Sequence, residues 1–243
     1  MTKSEIILLF NKQYSLNEEQ QLYLSIHAKR FEIILSLINK NPQTKTLDIG
    51  PSFLSELLYK RFGENLSLLG FKNEDSFGGH LPNASIFEKV KLIEQDLNFY
   101  QLSSQIKEKF DLIICGEVME HLYTSPKKLF QNLHSLLNKD GILIIQTPNA
   151  ASLKKRLTLL LGKNPFEMPR ENLQNPGHYR EYTSKELIDL GNETHYIVNK
   201  IILDKYFEYP TIISKIYRSV KSFIPKKLRS GITIIYQKND KNL

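Results

Sequence analysis

Two hydrophobic periods alternate along this chain. From Leu16 to Asn39 apolar residues recur at helical spacing, through Leu22, Ile26, Ile33, Ile34, Leu37 and Ile38. Asn17-Glu18-Glu19 supplies an acidic start and Asn41-Pro42 a stop. Thr44 to Ile49 then reads as a short strand running into Gly50. Ser52 to Phe62 returns to the helical period and Gly63 closes it. Leu66 to Phe71 and Val90 to Glu94 are further strands, separated by a Gly-rich polar loop from Lys72 to Asn83. Phe110 to Gly116 is a fourth strand. Its central residues, Leu112 to Cys115, form an apolar run of the kind buried on both faces. Pro126 to Leu137 predicts a helix with proline in its first turn. Lys139-Asp140-Gly141 turns the chain into a fifth strand, Ile142 to Gln146.

After Thr147 the pattern loosens. Ala151 to Leu161 fits a helix, Gly162 to Tyr182 a proline-containing loop, and Ser184 to Leu190 a short helix with a Ser-x-x-Leu start. Ile197 to Tyr209 and Ile232 to Gln237 read as two late strands. Strands alternating with helices imply a mainly parallel sheet covered on both faces. With no internal repeat, the chain reads as a single domain over 1–243. Residues 1–43 form a helical lead-in, 44–149 a core, and 150–243 a loop, late strands and a basic segment.

Composition changes this picture in two places. A single cysteine, Cys115, excludes a disulfide framework and a cysteine metal cluster, which fits a reducing cytoplasm. The apolar run Ile6–Phe10 is too short for a signal segment, and Leu157–Leu161 is too short to span a bilayer. The net charge of +7 is local: residues 200–243 carry ten Lys/Arg against three Asp/Glu, and residues 1–199 carry twenty-three of each. A neutral body argues against nucleic acid as partner. The segment 210–228 is basic and amphipathic. It fits peripheral contact with an anionic membrane, or packing of its apolar face on the sheet.

The chemistry-bearing residues follow the fourth strand. If a helix starts near Glu117, then Glu117, Glu120 and His121 share one face at i, i+3 and i+4. They would sit at the carboxyl end of a parallel strand, where open α/β sheets place their ligand crevice. His178 lies in the late loop, beside Tyr179. His27 and His80 read as surface residues, and His134 and His195 as remote from this cluster.

The strand-Asp48-Ile49-Gly50-helix opening, Asp96 after the third strand, the Phe110-Asp-Leu-Ile-Ile114 strand and Gln146-Thr-Pro-Asn149 after the fifth resemble class I S-adenosylmethionine-dependent methyltransferases. That resemblance implies a three-layer Rossmann-like α/β fold, with a seven-stranded, mainly parallel sheet whose last strand is antiparallel. It implies S-adenosylmethionine as cofactor, contacted by Asp48, Gly50, Ser52, Asp75, Asp96, Cys115 and Glu117. Two departures stand out. Only the first glycine of the usual turn is kept, in Gly50-Pro-Ser-Phe-Leu54, and Lys72 falls where an acid normally holds the ribose, with Glu74 and Asp75 just beyond.

Glu117-x-x-Glu120-His121 with Asn175-Pro-Gly-His-Tyr-Arg-Glu-Tyr-Thr183 resembles the metal site of small-RNA 2′-O-methyltransferases. Ubiquinone-pathway O-methyltransferases carry a similar Glu-x-x-Glu-His. The resemblance implies a divalent ion (Mn²⁺, Mg²⁺ or Zn²⁺) on Glu117, Glu120, His121 and His178. The alternative is a metal-free site in which His121 or His178 is the catalytic base and Glu120 orients the imidazole. The implied activity is methyl transfer, with a hydroxyl of a small molecule or glycan as acceptor. RNA ribose methylation and a binding module that has lost activity stand as alternatives.

Overall fold

A computed structural model describes residues 1–71, 81–99, 106–172, 177–206 and 224–240. Asp75, His80, the ribose position Lys72 and most of the basic segment 210–228 fall outside the described residues. The seven strands are β1 (Thr46–Ile49), β2 (Leu66–Leu69), β3 (Lys91–Ile93), β4 (Phe110–Gly116), β5 (Leu137–Pro148), β6 (Tyr196–Asp204) and β7 (Gly231–Lys238). They form one sheet in the order β3-β2-β1-β4-β5-β7-β6. Strands β1 to β5 pair in parallel, and β7 runs antiparallel between β5 and β6. The expected Rossmann-like α/β sheet with an antiparallel last strand is therefore present.

Alternation along the strands sorts side chains between two cores. On one face Leu47, Ile49, Ile113, Cys115, Leu143 and Ile145 pack against α4 (Pro126–Leu136) and α6 (Ser184–Glu193). On the other, Leu66, Leu68, Leu112, Ile114 and Ile144 pack against α1 (Lys3–Gln13), α2 (Glu18–Leu37) and α3 (Phe53–Phe62). Helix α1 has no counterpart in the sequence reading, where Ile6–Phe10 was only a short apolar run. Thr2 and Glu5 close a capping box at its start, and Ile6 and Phe10 bury against the second core.

Two further elements depart from expectation. Helix α6 does have a capping box, one residue earlier than the Ser-x-x-Leu reading: the Thr183 hydroxyl accepts from the Glu186 amide, and Glu186 accepts from the Thr183 amide. Strand β5 starts at Leu137, directly after α4, and takes in the Lys139-Asp140-Gly141 turn, where Asp140 has a φ of 60°. Helix α5 (Leu153–Leu160) follows β5 and buries no residue. Among the described residues no helix is long and apolar enough to cross a membrane.

Candidate active site at the strand tips

Because β1 and β4 are parallel neighbours, with Ile49 opposite Cys115, the turns after them meet. Gly50 makes the first turn with φ at 78°, and a β-carbon there would lie 2.6 Å from Val118 Cγ2. Glycine is required twice over, by conformation and by the close approach of the second turn. Ser52 caps α3 by accepting from the Leu54 amide, so its hydroxyl serves the turn itself. Asp48 is buried beneath it and accepts a 2.6 Å hydrogen bond from Ser55 Oγ. Burial raises the Asp48 carboxyl to about 7, against the opposing effects of Ser55 and Arg30.

The expected helix from Glu117 is not formed. Glu117 takes a left-handed φ of 61°, and only a single 3-10 turn, Met119–His121, follows. The cause is tertiary: the Glu117 amide donates to Gln146 O at 2.8 Å, prolonging the β4–β5 ladder. The next helix waits for Pro126. The acidic–imidazole cluster is thus assembled by a tight turn and a distant loop, not by one helical face.

Three ligand atoms, one each from Glu120, His121 and His178, lie within 4.8 Å of one another. The two imidazoles meet edge to face, with centroids 4.7 Å apart. Each has one nitrogen committed. His121 Nδ1–H donates to Gly177 O at 3.0 Å, and His178 Nδ1–H donates to Glu181 Oε1 at 3.2 Å. This arrangement leaves Nε2 of each ring as the lone-pair nitrogen, oriented by an outer partner as in histidine metal sites. The loop is tied down by Tyr179 and Arg180 amides donating to Glu120 O, and by the Ala150 amide donating to Tyr182 O.

Glu120 is fully buried; Oε2 accepts from Thr147 Oγ1 at 3.1 Å, and Oε1 has no hydrogen-bond partner among the described residues. Glu117 is not one of the three close ligands. It lies against Glu120, its own Oε1 equally without a partner. Burial, then the neighbouring Glu120 charge, raises the Glu117 carboxyl well above the usual carboxylate range. Burial also raises Glu120, though the neighbouring His121 opposes it. Two carboxyls so placed repel each other when both are ionised, which adds to the effect of burial at Glu117. Of the four residues expected to share a metal, the structure brings Glu120, His121 and His178 within 4.8 Å and leaves Glu117 outside that group. Burial and the neighbouring His121 depress His178 to about 4.

The other expected contacts are dispersed. Cys115 is fully buried in the core, its thiol raised by burial, so its side chain does not face the cleft. Asp96, beyond the end of β3, accepts from the Asn98 amide at 2.8 Å and from Asn98 Nδ2 at 3.0 Å. Asn98 Oδ1 in turn accepts from the Tyr123 and Thr124 amides, joining this loop to the one carrying Glu120. Tyr123 and Tyr179 stack edge to face, both exposed. His134 packs against Tyr196, away from the cluster.

Two cations escaped the sequence reading. Arg30 of α2 is buried and reaches over the strand tips, donating from Nε to His27 Nδ1, from Nη1 to Gln146 Oε1 and from Nη2 to Tyr23 OH. Its charge acts on Asp48, Glu117 and Glu120. His27 is accordingly half-buried and stacked on Tyr23, not a surface residue. The available signal was Arg30's place on the apolar stripe, four residues from both Ile26 and Ile34. Lys155 of α5 pairs with Glu181 and is lowered to about 8 by burial, against the pull of Glu120 and Glu117. No periodicity in the sequence marks it.

Strand order, the glycine turn after β1 and an acidic cluster at the tip of β4 together define a class I S-adenosylmethionine-dependent methyltransferase. The comparison with protein families agrees: a methyltransferase-domain model matches residues 29–196, and the chain belongs to that family. Solved structures share the fold. An S-adenosylmethionine-dependent methyltransferase from Thermotoga maritima superposes with a TM-score of 0.58 at 12% identity, over 97% of this chain and 99% of that one. Another from Archaeoglobus fulgidus gives 0.54 at 18% identity, over 95% and 99%. Among curated proteins, the mitochondrial ubiquinone biosynthesis O-methyltransferase of Saccharomyces cerevisiae is 24% identical over 70% of this chain and 54% of its own length. A ubiquinone biosynthesis O-methyltransferase of Glaesserella parasuis is 40% identical over 23% of this chain and 22% of its length. The chain thus spans about half the length, or less, of these curated relatives.

Proposed function

We propose that this protein transfers the methyl group of S-adenosylmethionine to a hydroxyl oxygen of a small molecule, with a divalent cation held by Glu120, His121 and His178. The observation that carries the proposal is the buried Glu120 carboxyl: its Oε1 has no partner among the described residues, and one of its oxygens lies within 4.8 Å of a ring nitrogen of both His121 and His178, whose Nδ1 atoms are hydrogen-bonded. A carboxylate and two imidazole ligands suit Mn²⁺ or Zn²⁺ better than Mg²⁺. The relation to two ubiquinone-pathway O-methyltransferases supports oxygen as the attacking atom.

The residues divide the work. Gly50 lets the donor approach the backbone between the β1 and β4 turns, and Asp48 with Arg30 sets the charge beneath it. Held by Glu120, His121 and His178, a divalent cation would lower the pKa of the acceptor hydroxyl, which would lose its proton to water near neutral pH and so become nucleophilic. Glu120 gives that site its negative charge, and Gly177 O and Glu181 hold the two rings in place. Tyr123 and Tyr179, exposed beside the cluster, form an aromatic edge against which an acceptor can lie. In-line placement of donor and acceptor provides most of the rate.

A metal-free reaction with His178 as base is the weaker reading. With its pKa at about 4, His178 is neutral at pH 7 but too weak a base to take a hydroxyl proton efficiently. Calorimetry tests both halves. S-adenosylmethionine is expected to bind the wild type, and Mn²⁺ to bind wild type but not Glu120→Ala or His178→Ala. Unchanged Mn²⁺ affinity in both variants removes the cation, and no binding of S-adenosylmethionine at millimolar concentration leaves a binding module without transferase activity.

A further inference from the structure

Helix α5 and the loop after it carry an apolar surface that the methyl-transfer site does not use. Leu157 is 51% exposed, Leu160 82%, Leu161 76% and Met168 81%. Several neighbouring leucines shown to water on a helix with no fully buried residue mark a surface for a partner or a membrane. Leu153, Leu157, Leu160 and Leu161 recur at i, i+4, i+7 and i+8 and so form one stripe. Lys154 and Arg156 fall on either side of that stripe, and Lys163 follows it; all three are exposed. Lys155 points the other way, to the Glu181 that holds His178. Helix α5 therefore has a wet basic rim, a bare apolar stripe and a back face fastened to the active-site loop.

We propose that this stripe is an interfacial membrane anchor, seating its leucines among the lipids of an anionic bilayer with Lys154, Arg156 and Lys163 at the headgroups. Charge complementarity selects this occupant over a second copy of the chain. A two-fold contact through the same stripe brings Lys154, Arg156 and Lys163 against their own counterparts, a like-charge arrangement that a bilayer of anionic lipid reverses. Resting on the methyl-transfer reading, the consequence is that the acceptor is an amphiphile. Its tail remains in the bilayer while its hydroxyl enters beside Tyr179 and His178.

Sedimentation of the full chain with vesicles tests the anchor without reference to catalysis. The wild type is expected to pellet with phosphatidylcholine vesicles containing phosphatidylglycerol, and far less with phosphatidylcholine alone. Leu160→Ser with Leu161→Ser should lower the partition coefficient at least about tenfold, because two leucine side chains no longer leave water. Lys154→Glu and Lys163→Glu should each lower it about fivefold or more. All four side chains are exposed, so thermal unfolding should match the wild type. Equal recovery with neutral and anionic vesicles overturns the proposal. So does a partition coefficient unchanged by both kinds of substitution, or a concentration-dependent dimer that the leucine changes dissolve. If the anchor stands but methyl transfer to short-chain and long-chain hydroxyl acceptors is equal, the amphiphilic acceptor is the part that fails.

Discussion

Two buried polar groupings lie at the strand tips, and they differ in how their hydrogen bonds close. Beneath α2 and α3, Ser55 answers Asp48, while Arg30 donates to His27, Tyr23 and Gln146. Gln146 donates to Thr233 Oγ1, which also meets the Tyr206 hydroxyl. In the other grouping, Glu117 and Glu120 each keep a buried oxygen without a partner among the described residues, and a ring nitrogen of both His121 and His178 lies within 4.8 Å of the Glu120 carboxyl. A closed network holds strands in place; an open one of like charge is tolerated only where a ligand completes it. The first grouping frames the site; the second is the part that the proposed function puts to work.

The contrast is tested most severely by Glu120→Gln. If the open grouping is the working part, the methyl-transfer rate should fall at least about a hundredfold. Stability should hold or rise, because one of two repelling carboxylates is gone. Initial rates and calorimetric unfolding decide this, and a melting temperature that falls with the rate would make Glu120 part of the frame.

Arg30→Leu should show the opposite pattern, losing about 3 kcal/mol of stability in urea unfolding as buried acceptors and carboxylates lose their cation. Arg30→Lys should recover little, since a single ammonium cannot serve three acceptors lying in different directions. A wild-type urea midpoint in Arg30→Leu would show that the frame does not need the charge.

The frame also predicts a pH dependence. Burial lifts the Asp48 carboxyl from its ordinary value of 3.8 to about 7, so between those values the folded state holds a proton that the unfolded chain has released. The stability tied to that proton is fully present below about pH 4 and is lost as pH rises through about 7. Asp48→Asn should flatten that slope. Urea midpoints measured across the interval check it, and an unchanged slope would assign the effect to Glu117 and Glu120. The smallest effect concerns the loop that carries His178: Thr183→Ala removes the capping box of α6 and should cost about 1 kcal/mol. On the proposed cation site, Mn²⁺ affinity measured by calorimetry should then match the wild type, because Gly177 to Tyr182 is pinned separately by the amide bonds to Glu120 O and the Ala150–Tyr182 hydrogen bond.

Much of the frame was determined by the sequence alone, because burial on both faces, on one face or on none leaves a local period. Strand β4 runs over the Phe110–Gly116 expected for it, and α2, α3 and α4 lie within a residue or two of their expected ends. The cluster residues Glu120, His121 and His178 were also legible, as chemistry-bearing types after a β-strand and in a late loop. What only the tertiary structure decided is how they meet. The Glu117 amide binds Gln146 O instead of starting a helix, which leaves Glu117 outside the Glu120–His121–His178 cluster, while His121 meets Gly177 O. Arg30 and Lys155 reach the site from α2 and α5, each far away in sequence, and their roles depend on which carboxylates end up within range of their charge. Periodicity reports whether a residue meets water, a property of its own segment. Hydrogen-bond partners and shifted carboxyls are properties of pairs, and those pairs exist only once the strands lie side by side.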